Sequence, residues 1–203
     1  MKIGITCLKN TVPINYIKWV KKAGFEPVII DRISRINKLK NCDAILFSGG
    51  GDLKYWFYSN NKIGNGNDAS RDVFEYFAFL SAIHLPTLAI CRGAQIVNVF
   101  MGGTLKDLNN AYMHSGEYDV FHPVFVKNRT YLINSQHHQC IDKLADNLFA
   151  IGIYNECIEI AKGKNILLCQ YHPERINHHI ILNALKGIIK KNKHTLKRGV
   201  FDD

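Results

Sequence analysis

Short apolar runs alternate with amphipathic segments over the first half of the chain. Four of these runs are rich in β-branched residues and predict buried strands, at 2–7, 25–30, 43–48 and 86–91. Two segments between them have apolar positions at helical spacing, 14–24 and 68–84. Because strands that alternate with helices form β-α-β units, the pattern predicts a mostly parallel sheet with helices packed on it.

The second half carries strand patterns in closer succession, at 121–126, 130–135, 147–154, 157–162 and 165–172. Most gaps between them are too short for a crossover helix, so some of these strands are expected to pair antiparallel. A final helix is predicted at 176–191, and the Gly- and Asn-rich segment 58–70 is expected to be a loop that is disordered or lies over a site. No repeat or linker divides the chain, so residues 1–203 are expected to form one α/β domain.

Positive charge is concentrated near the end of the chain. The formal net charge is +9, and much of it lies in the segment 186–199. No aromatic residues interleave with these charges, so we interpret the segment as a solvated helix face and tail rather than a nucleic-acid site. The excess charge remains compatible with an anionic small-molecule substrate.

Cysteine usage and the absence of long apolar runs indicate the compartment. Six cysteines are scattered without a CxxC pair, which favours reduced thiols. The start of the chain lacks a signal-peptide pattern, and no apolar run approaches the roughly 18 residues of a membrane span. We therefore expect a cytoplasmic protein that binds neither membrane nor nucleic acid.

One cysteine stands where a strand pattern changes into a helix pattern. In PTLAICRGAQIVNVF, Cys91 ends the apolar run, and Gly93 allows a tight turn before the helical spacing begins. Such a turn exposes its central residue at the carboxyl edge of a parallel sheet, where the helix N-terminus favours a thiolate. From this stretch alone, a nucleophile and a buried strand end are equally good interpretations of Cys91.

A nucleophilic thiol needs a base, and the base needs an orienting partner. In LLCQYHPE, His172 follows an apolar run, Pro173 ends the strand, and Glu174 is placed to hold the imidazole. The oxyanion needs N–H donors, for which the backbones of Gly50, in LFSGGGD, and Arg92 are the candidates. A Gly-rich loop also fits a phosphate site or a simple turn, so it gains weight only within this set.

Several motifs occur together in one order: GGGD, ICRGAQIVNVFMGGTLKDL, NSQHHQ and QYHPE. In this order and approximate spacing they resemble the class I glutamine amidotransferase superfamily, and within it the γ-glutamyl-γ-aminobutyrate hydrolase type. The resemblance covers most of residues 46–174, including Arg71, Asp72, Glu75 and the HPV of 122–124. It implies a three-layer α/β sandwich with helices on both faces of the sheet and a small antiparallel extension.

The resemblance also implies an activity, the hydrolysis of a γ-glutamyl amide through a γ-glutamyl thioester. It makes Cys91 the nucleophile, His172 the base and later the acid, and Glu174 the orienting carboxylate. Gln95 would bind the α-amino or α-carboxylate end of the glutamyl group. The other side of that pocket would be closed by Ser135, Gln136 and His137. Ordinary polar packing is the alternative for Gln95 and His137.

No metal or other cofactor is expected. The adjacent histidine pairs 137–138 and 178–179 are poorly spaced to bind a metal from one face, and no coherent set of carboxylates joins them. The chain departs from the family in a short connection at 127–130 and in Tyr171 before HPE, where relatives usually carry a longer insert and a Trp. These departures lie outside the three proposed catalytic residues and affect the far side of the substrate.

The leaving group is the open point. As a shortened and basic member of the family, the chain resembles the γ-glutamyl-CDP-amidate hydrolase type, which implies that substrate, and its positive charge would suit a nucleotide diphosphate. γ-Glutamyl-GABA or another γ-glutamyl amine is the main alternative. Two further functions stay open: a glutaminase that passes ammonia to a partner synthetase, and a non-catalytic binding or redox-sensing domain.

Overall fold

The computed structural model describes residues 1–54 and 69–198, with side chains up to residue 193. Nearly all of the predicted loop 58–70 therefore lies outside the described residues. Eleven strands are present in the described ranges: β1 Lys2–Thr6, β2 Glu26–Ile30, β3 Ala44–Phe47, β4 Thr87–Ile90, β5 Leu105–Asp107, β6 Val120–Val126, β7 Arg129–Ser135, β8 Gln139–Ile141, β9 Phe149–Tyr154, β10 Cys157–Lys162 and β11 Ile166–Cys169.

Seven of the strands form one central sheet in the order β2-β1-β3-β4-β11-β10-β9. The five strands from β2 to β11 run parallel, and β10 and β9 add an antiparallel edge. Two smaller antiparallel pairs, β5 with β8 and β6 with β7, extend from it. The predicted mostly parallel sheet with an antiparallel extension is confirmed.

Helices cover both faces of this sheet. The four α-helices of the described ranges are α1 Ile14–Lys22, α2 Ala69–Ser81, α3 Arg92–Phe100 and α4 Ile180–Arg198. On one face, Phe74 of α2 and Ile96 of α3 belong to a single buried core. On the other face, Trp19 of α1 and Leu185 of α4 belong to a second core. The layers are therefore helix, sheet and helix, as expected.

The structure differs from the sequence-based prediction at several short elements. The strand predicted at 165–172 ends at Cys169, and the final helix begins at Ile180 because the preceding residues form turns in which Asn177 has φ 52. The strands β5 and β8 were not predicted, since three residues are too few to show a period. The 3-10 helices Ile33–Asn41 and Ala111–Met113 were also missed.

Among the residues that the structure describes, no helix combines the length and apolar character needed to cross a membrane.

Candidate active site

Cys91 lies between β4 and α3, at the carboxyl edge of the sheet. Its φ of 52 and ψ of −114 fall in a left-handed region where a side chain is strained. Its N–H donates to the carbonyl oxygen of Cys169 in β11 at 2.7 Å. Gly93 lets α3 approach β3, because a Cβ there would lie 2.2 Å from the Phe47 carbonyl oxygen. The predicted strand-to-helix turn is therefore present.

The structure brings Cys91, His172 and Glu174 together. His172 follows β11, the neighbour of β4, and its Nδ1 is 2.7 Å from Glu174 Oε1. The Cys91 thiol is close enough to influence the pKa of this ring. Burial lowers the pKa of His172, but the negative charge of Cys91 and Glu174 outweighs burial and raises the pKa to about 10. All three side chains are buried, so water screens their interactions weakly.

The glycine-rich loop after β3 runs alongside this group. A Cβ on Gly49 would lie 2.9 Å from His172 Cε1 and 3.5 Å from Cys91 Cβ. A Cβ on Gly50 would lie 3.1 Å from Arg92 Cδ. The two residues predicted to donate N–H groups to an oxyanion, Gly50 and Arg92, are therefore neighbours in space.

Behind the loop, α2 and α3 are joined by a buried charge network. The Arg92 guanidinium pairs with both Asp72 and Glu75, and Arg71 Nε lies 3.2 Å from Glu75 Oε1. Thr6 Oγ1 donates to Glu75 at 2.7 Å. Burial raises the pKa of Asp72; burial acts the same way on Glu75, but Arg71 and Arg92 outweigh it and lower that pKa. Each charge thus has a partner of opposite sign.

Tyr16 is a site residue that the sequence analysis missed. Its hydroxyl oxygen accepts the Gly49 N–H at 2.9 Å. Burial and the nearby Glu174 carboxylate raise the pKa of Tyr16 well above its ordinary value, so the phenol keeps its proton. No sequence signal marks this residue, because it lies in an ordinary amphipathic helix.

Gln95 lies one helical turn after Cys91 and is buried. Its Nε2 donates to the Gln139 carbonyl oxygen at 2.9 Å and to Gln170 Oε1 at 3.3 Å. Both amide hydrogens therefore have acceptors in the protein. Only Gln95 Oε1 is left to contact a substrate, which favours a donor such as an α-ammonium group.

The three residues predicted to close the pocket face different ways. The Ser135 hydroxyl donates to the His114 carbonyl oxygen at 2.9 Å. His137 is buried and turned toward Glu159. Of these three, Gln136 is the one that lines an open groove. The side chains of Ser135 and His137 are thus engaged within the protein.

The groove beside Gln136 has a volume of about 690 Å³ and reaches Arg175, the residue after Glu174. It carries the carboxylates of Glu117 and Asp119, and Arg175 pairs with Asp119. Tyr118, 78% exposed, adds an aromatic ring. The groove therefore offers both charge and stacking surface, and Arg175 links it along the chain to Glu174.

A second ionisable cluster lies among the described residues and was not predicted. His114, His122 and His137 surround Glu159, and all four side chains are buried. Each comes from a different segment of the chain, so no spacing in the sequence predicts the cluster. The expectation of no metal considered only adjacent histidine pairs and thus overlooked this combination.

Comparisons with known proteins agree with the fold and the order of motifs. The sequence model of the family described as Peptidase C26 matches residues 4–174. A candidate glutamine amidotransferase-like protein, YvdE of Lactococcus lactis subsp. lactis, is 32% identical over 175 residues, which cover 72% of this chain and 74% of that protein. The γ-glutamyl-CDP-amidate hydrolase of Campylobacter jejuni subsp. jejuni is 32% identical over 156 residues, which cover 73% of this chain and 72% of that protein.

Solved structures share the same fold. A candidate GMP synthase protein of Thermoplasma acidophilum superposes with a TM-score of 0.75 at 16% identity, covering 97% of this chain and 98% of that chain. A glutamine amidotransferase of Thermotoga maritima superposes with a TM-score of 0.64 at 13% identity, covering 95% of this chain and 85% of that chain. The family match, which spans β1 to Glu174, includes every residue proposed above for catalysis or glutamyl binding. The chain therefore belongs to the peptidase C26 family, within the class I glutamine amidotransferase-like proteins.

Proposed function

We propose that this protein hydrolyses a γ-glutamyl amide, with Cys91 as nucleophile. The observation that carries the proposal is the buried Glu174–His172 hydrogen bond beside the Cys91 thiol, which stands at a strained turn. Membership in the peptidase C26 family and a hydrolase relative at 32% identity support it.

In the proposed reaction, the Cys91 thiolate attacks the γ-carbonyl carbon and forms a tetrahedral oxyanion. The N–H groups of Gly50 and Arg92 stabilise the oxyanion; Arg92 begins α3, where N–H groups have no intrahelical acceptor. Protonated His172 gives its proton to the leaving nitrogen as the C–N bond breaks. The imidazole then takes a proton from water, the resulting hydroxide attacks the thioester, and glutamate leaves.

The glutamyl end is assigned to Gln95 and Gln136. Gln95 Oε1 would accept from the α-ammonium group, because its Nε2 already donates within the protein. Gln136 would face the substrate from the groove wall. Ser135 and His137 would contribute backbone and position to that wall rather than their side chains.

The leading leaving group is the CDP-amidate nitrogen. The Campylobacter relative is named for that substrate, and Tyr118 and Phe121, 78% and 51% exposed, line the groove with rings on which a nucleobase can stack. A γ-glutamyl amine is the second candidate. The carboxylates of Glu117 and Asp119 in the groove favour it, since they attract a cationic amine and repel a diphosphate.

A substrate panel tests both the hydrolase activity and the identity of the leaving group. Purified protein is mixed with γ-glutamyl-CDP-amidate, γ-glutamyl-GABA and glutamine, and glutamate release is measured. We expect kcat/KM to be largest for the CDP-amidate conjugate. Release from the amine alone would overturn the nucleotide assignment and keep the hydrolase. Release from none of the three would contradict the hydrolase itself.

The pH dependence tests the role of Glu174. The pKa of His172 is raised from 6.5 to about 10, so the imidazolium is retained below that pH and lost as pH rises through it. Glu174→Gln removes a negative charge from the ring, which lowers this pKa. We expect the alkaline limb of kcat/KM to move to lower pH in this variant.

The control for this prediction is Glu26→Gln. Glu26 is a surface residue with a side chain 64% exposed, and it pairs with Lys2. Its replacement is expected to leave the pH profile unchanged. An alkaline limb that stays in place in Glu174→Gln would show that this carboxylate does not act on the imidazole.

A further inference from the structure

Glu159 in β10 lies at the centre of the buried histidine cluster. Its Oε1 is 3.4 Å from His114 Nδ1, 3.4 Å from His122 Nε2 and 3.5 Å from His137 Nε2. None of the four residues exceeds 5% exposure. The cluster takes no part in the proposed hydrolysis, so its composition needs a separate explanation.

The polar atoms of this cluster are poorly satisfied by the protein. Within the described part of the chain, both oxygens of Glu159, both ring nitrogens of His122 and Nε2 of His137 have no hydrogen-bond partner. Buried polar groups are almost always hydrogen-bonded, and a buried carboxylate without a partner is costly. Five such atoms in one place indicate that something else satisfies them.

The distances from Glu159 Oε1 to the three nitrogens match those between neighbouring ligand atoms of a tetrahedral metal ion. Ligand atoms at 2.0–2.1 Å from a common ion stand about 3.3–3.4 Å apart, and imidazole ring centres then lie about 5 Å apart. The observed separations from Glu159 Oε1 are 3.4–3.5 Å. The ring centre of His114 is 5.1 Å from that of His122 and 4.8 Å from that of His137.

A hydrogen bond behind the His137 ring also turns a lone pair toward the centre. His137 Nδ1 is 3.0 Å from the Gln139 carbonyl oxygen, which accepts only from an N–H. In the neutral ring, Nε2 then presents a lone pair to Glu159. Metal-binding histidines typically show such outer contacts.

We propose that His114 Nδ1, His122 Nε2, His137 Nε2 and a carboxylate oxygen of Glu159 bind a first-row transition-metal dication, with Zn²⁺ as the best match. Three imidazoles and one carboxylate in a tetrahedral arrangement are the ligands this ion prefers. Cys157 Sγ lies within 4.8 Å of the ligand atoms of His114, His137 and Glu159, but three imidazole nitrogens already face the same Glu159 oxygen. We therefore assign it to the wall of the site.

The ion has a structural role, because four protein ligands leave no open position for a substrate. The ligands come from the segment after the 3-10 helix Ala111–Met113, from β6, from the β7–β8 connection and from β10. The ion thus ties the antiparallel extension to the central sheet. The Gln139 carbonyl oxygen contacts both His137 Nδ1 and Gln95 Nε2, so the site also supports the wall of the proposed glutamyl pocket.

The first test is the metal content of the purified full chain, prepared without chelators and measured by mass spectrometry. We expect about one Zn²⁺ per chain. Glu159→Gln and His122→Ala are expected to lose at least about nine-tenths of it. His138→Ala is the matched control: this neighbouring histidine is 56% exposed and pairs with Asp52, so the variant should keep its metal.

A second test uses the unaltered protein and does not depend on the variants folding. Chelation is expected to lower the thermal unfolding midpoint, and Zn²⁺ but not Mg²⁺ should restore it. Co²⁺ added to the stripped protein should give the intense visible absorption of a tetrahedral site, and Glu159→Gln should lack it.

Two results would overturn the proposal: a folded wild-type protein that neither contains nor takes up Zn²⁺ or Co²⁺, or a Glu159→Gln protein that retains a full complement of metal. Neither measurement uses a γ-glutamyl substrate. A failure of the proposed hydrolase activity would therefore leave this test intact, and the reverse also holds.

Discussion

Glutamate release is expected to fall by about four orders of magnitude or more when Cys91 is replaced by alanine. The thiol is the atom that forms the thioester, and neither His172 nor Glu174 can take its place as nucleophile. The measurement is the initial rate of glutamate formation from the best substrate of the panel, with circular dichroism to verify folding.

A second buried thiol provides the control. Cys42 lies in the core next to Leu39, away from the site, and Cys42→Ala is expected to keep activity close to wild type. Cys91→Gly should be as inactive as Cys91→Ala but about 1 kcal/mol more stable, because glycine relieves the strain of φ 52. Hydrolysis that persists in both Cys91 variants would contradict the nucleophile assignment.

Replacing Arg92 by methionine is expected to lower the free energy of unfolding by about 3–5 kcal/mol. The change removes the partner of two buried carboxylates, Asp72 and Glu75, and Arg71 remains to pair with Glu75 only in part. Urea denaturation followed by circular dichroism measures the effect.

Two comparisons interpret that result. Lys106→Met breaks a pair with Glu156 in which both side chains are about one-third exposed, and it should cost less than about 1 kcal/mol. Adding Asp72→Asn and Glu75→Gln to Arg92→Met should recover part of the lost stability, because the unpaired charges are gone. An Arg92→Met protein as stable as Lys106→Met would show that the network is not a buried ion-pair cluster.

Arg92 connects stability with the proposed chemistry. Its backbone N–H is one of the two donors proposed for the oxyanion, and its side chain anchors the start of α3 to α2 through Asp72. Gly50 packs against its Cδ. The charge network thus holds the Gly50 loop and the Cys91 turn in one arrangement, although the motif comparison assigned its acidic residues no role.

The sequence by itself was sufficient for the order of the α-helices and the longer strands and for the turn at Cys91. Apolar periodicity is a local property, so it can be detected without tertiary information in α-helices and in strands of four residues or more. The partners His172 and Glu174 could also be predicted from the sequence, because both follow a strand end and the carboxyl ends of parallel strands meet at one edge of the sheet.

Only the tertiary structure decided which polar side chains of the motifs are hydrogen-bonded within the protein. Gln95 and His137 belong to motifs, yet their amide and imidazole nitrogens contact Gln139 within the protein. The cluster around Glu159 joins residues up to 45 positions apart, from 114 to 159, in four segments. No local pattern encodes that group, because its members become neighbours only when the antiparallel extension packs against the central sheet.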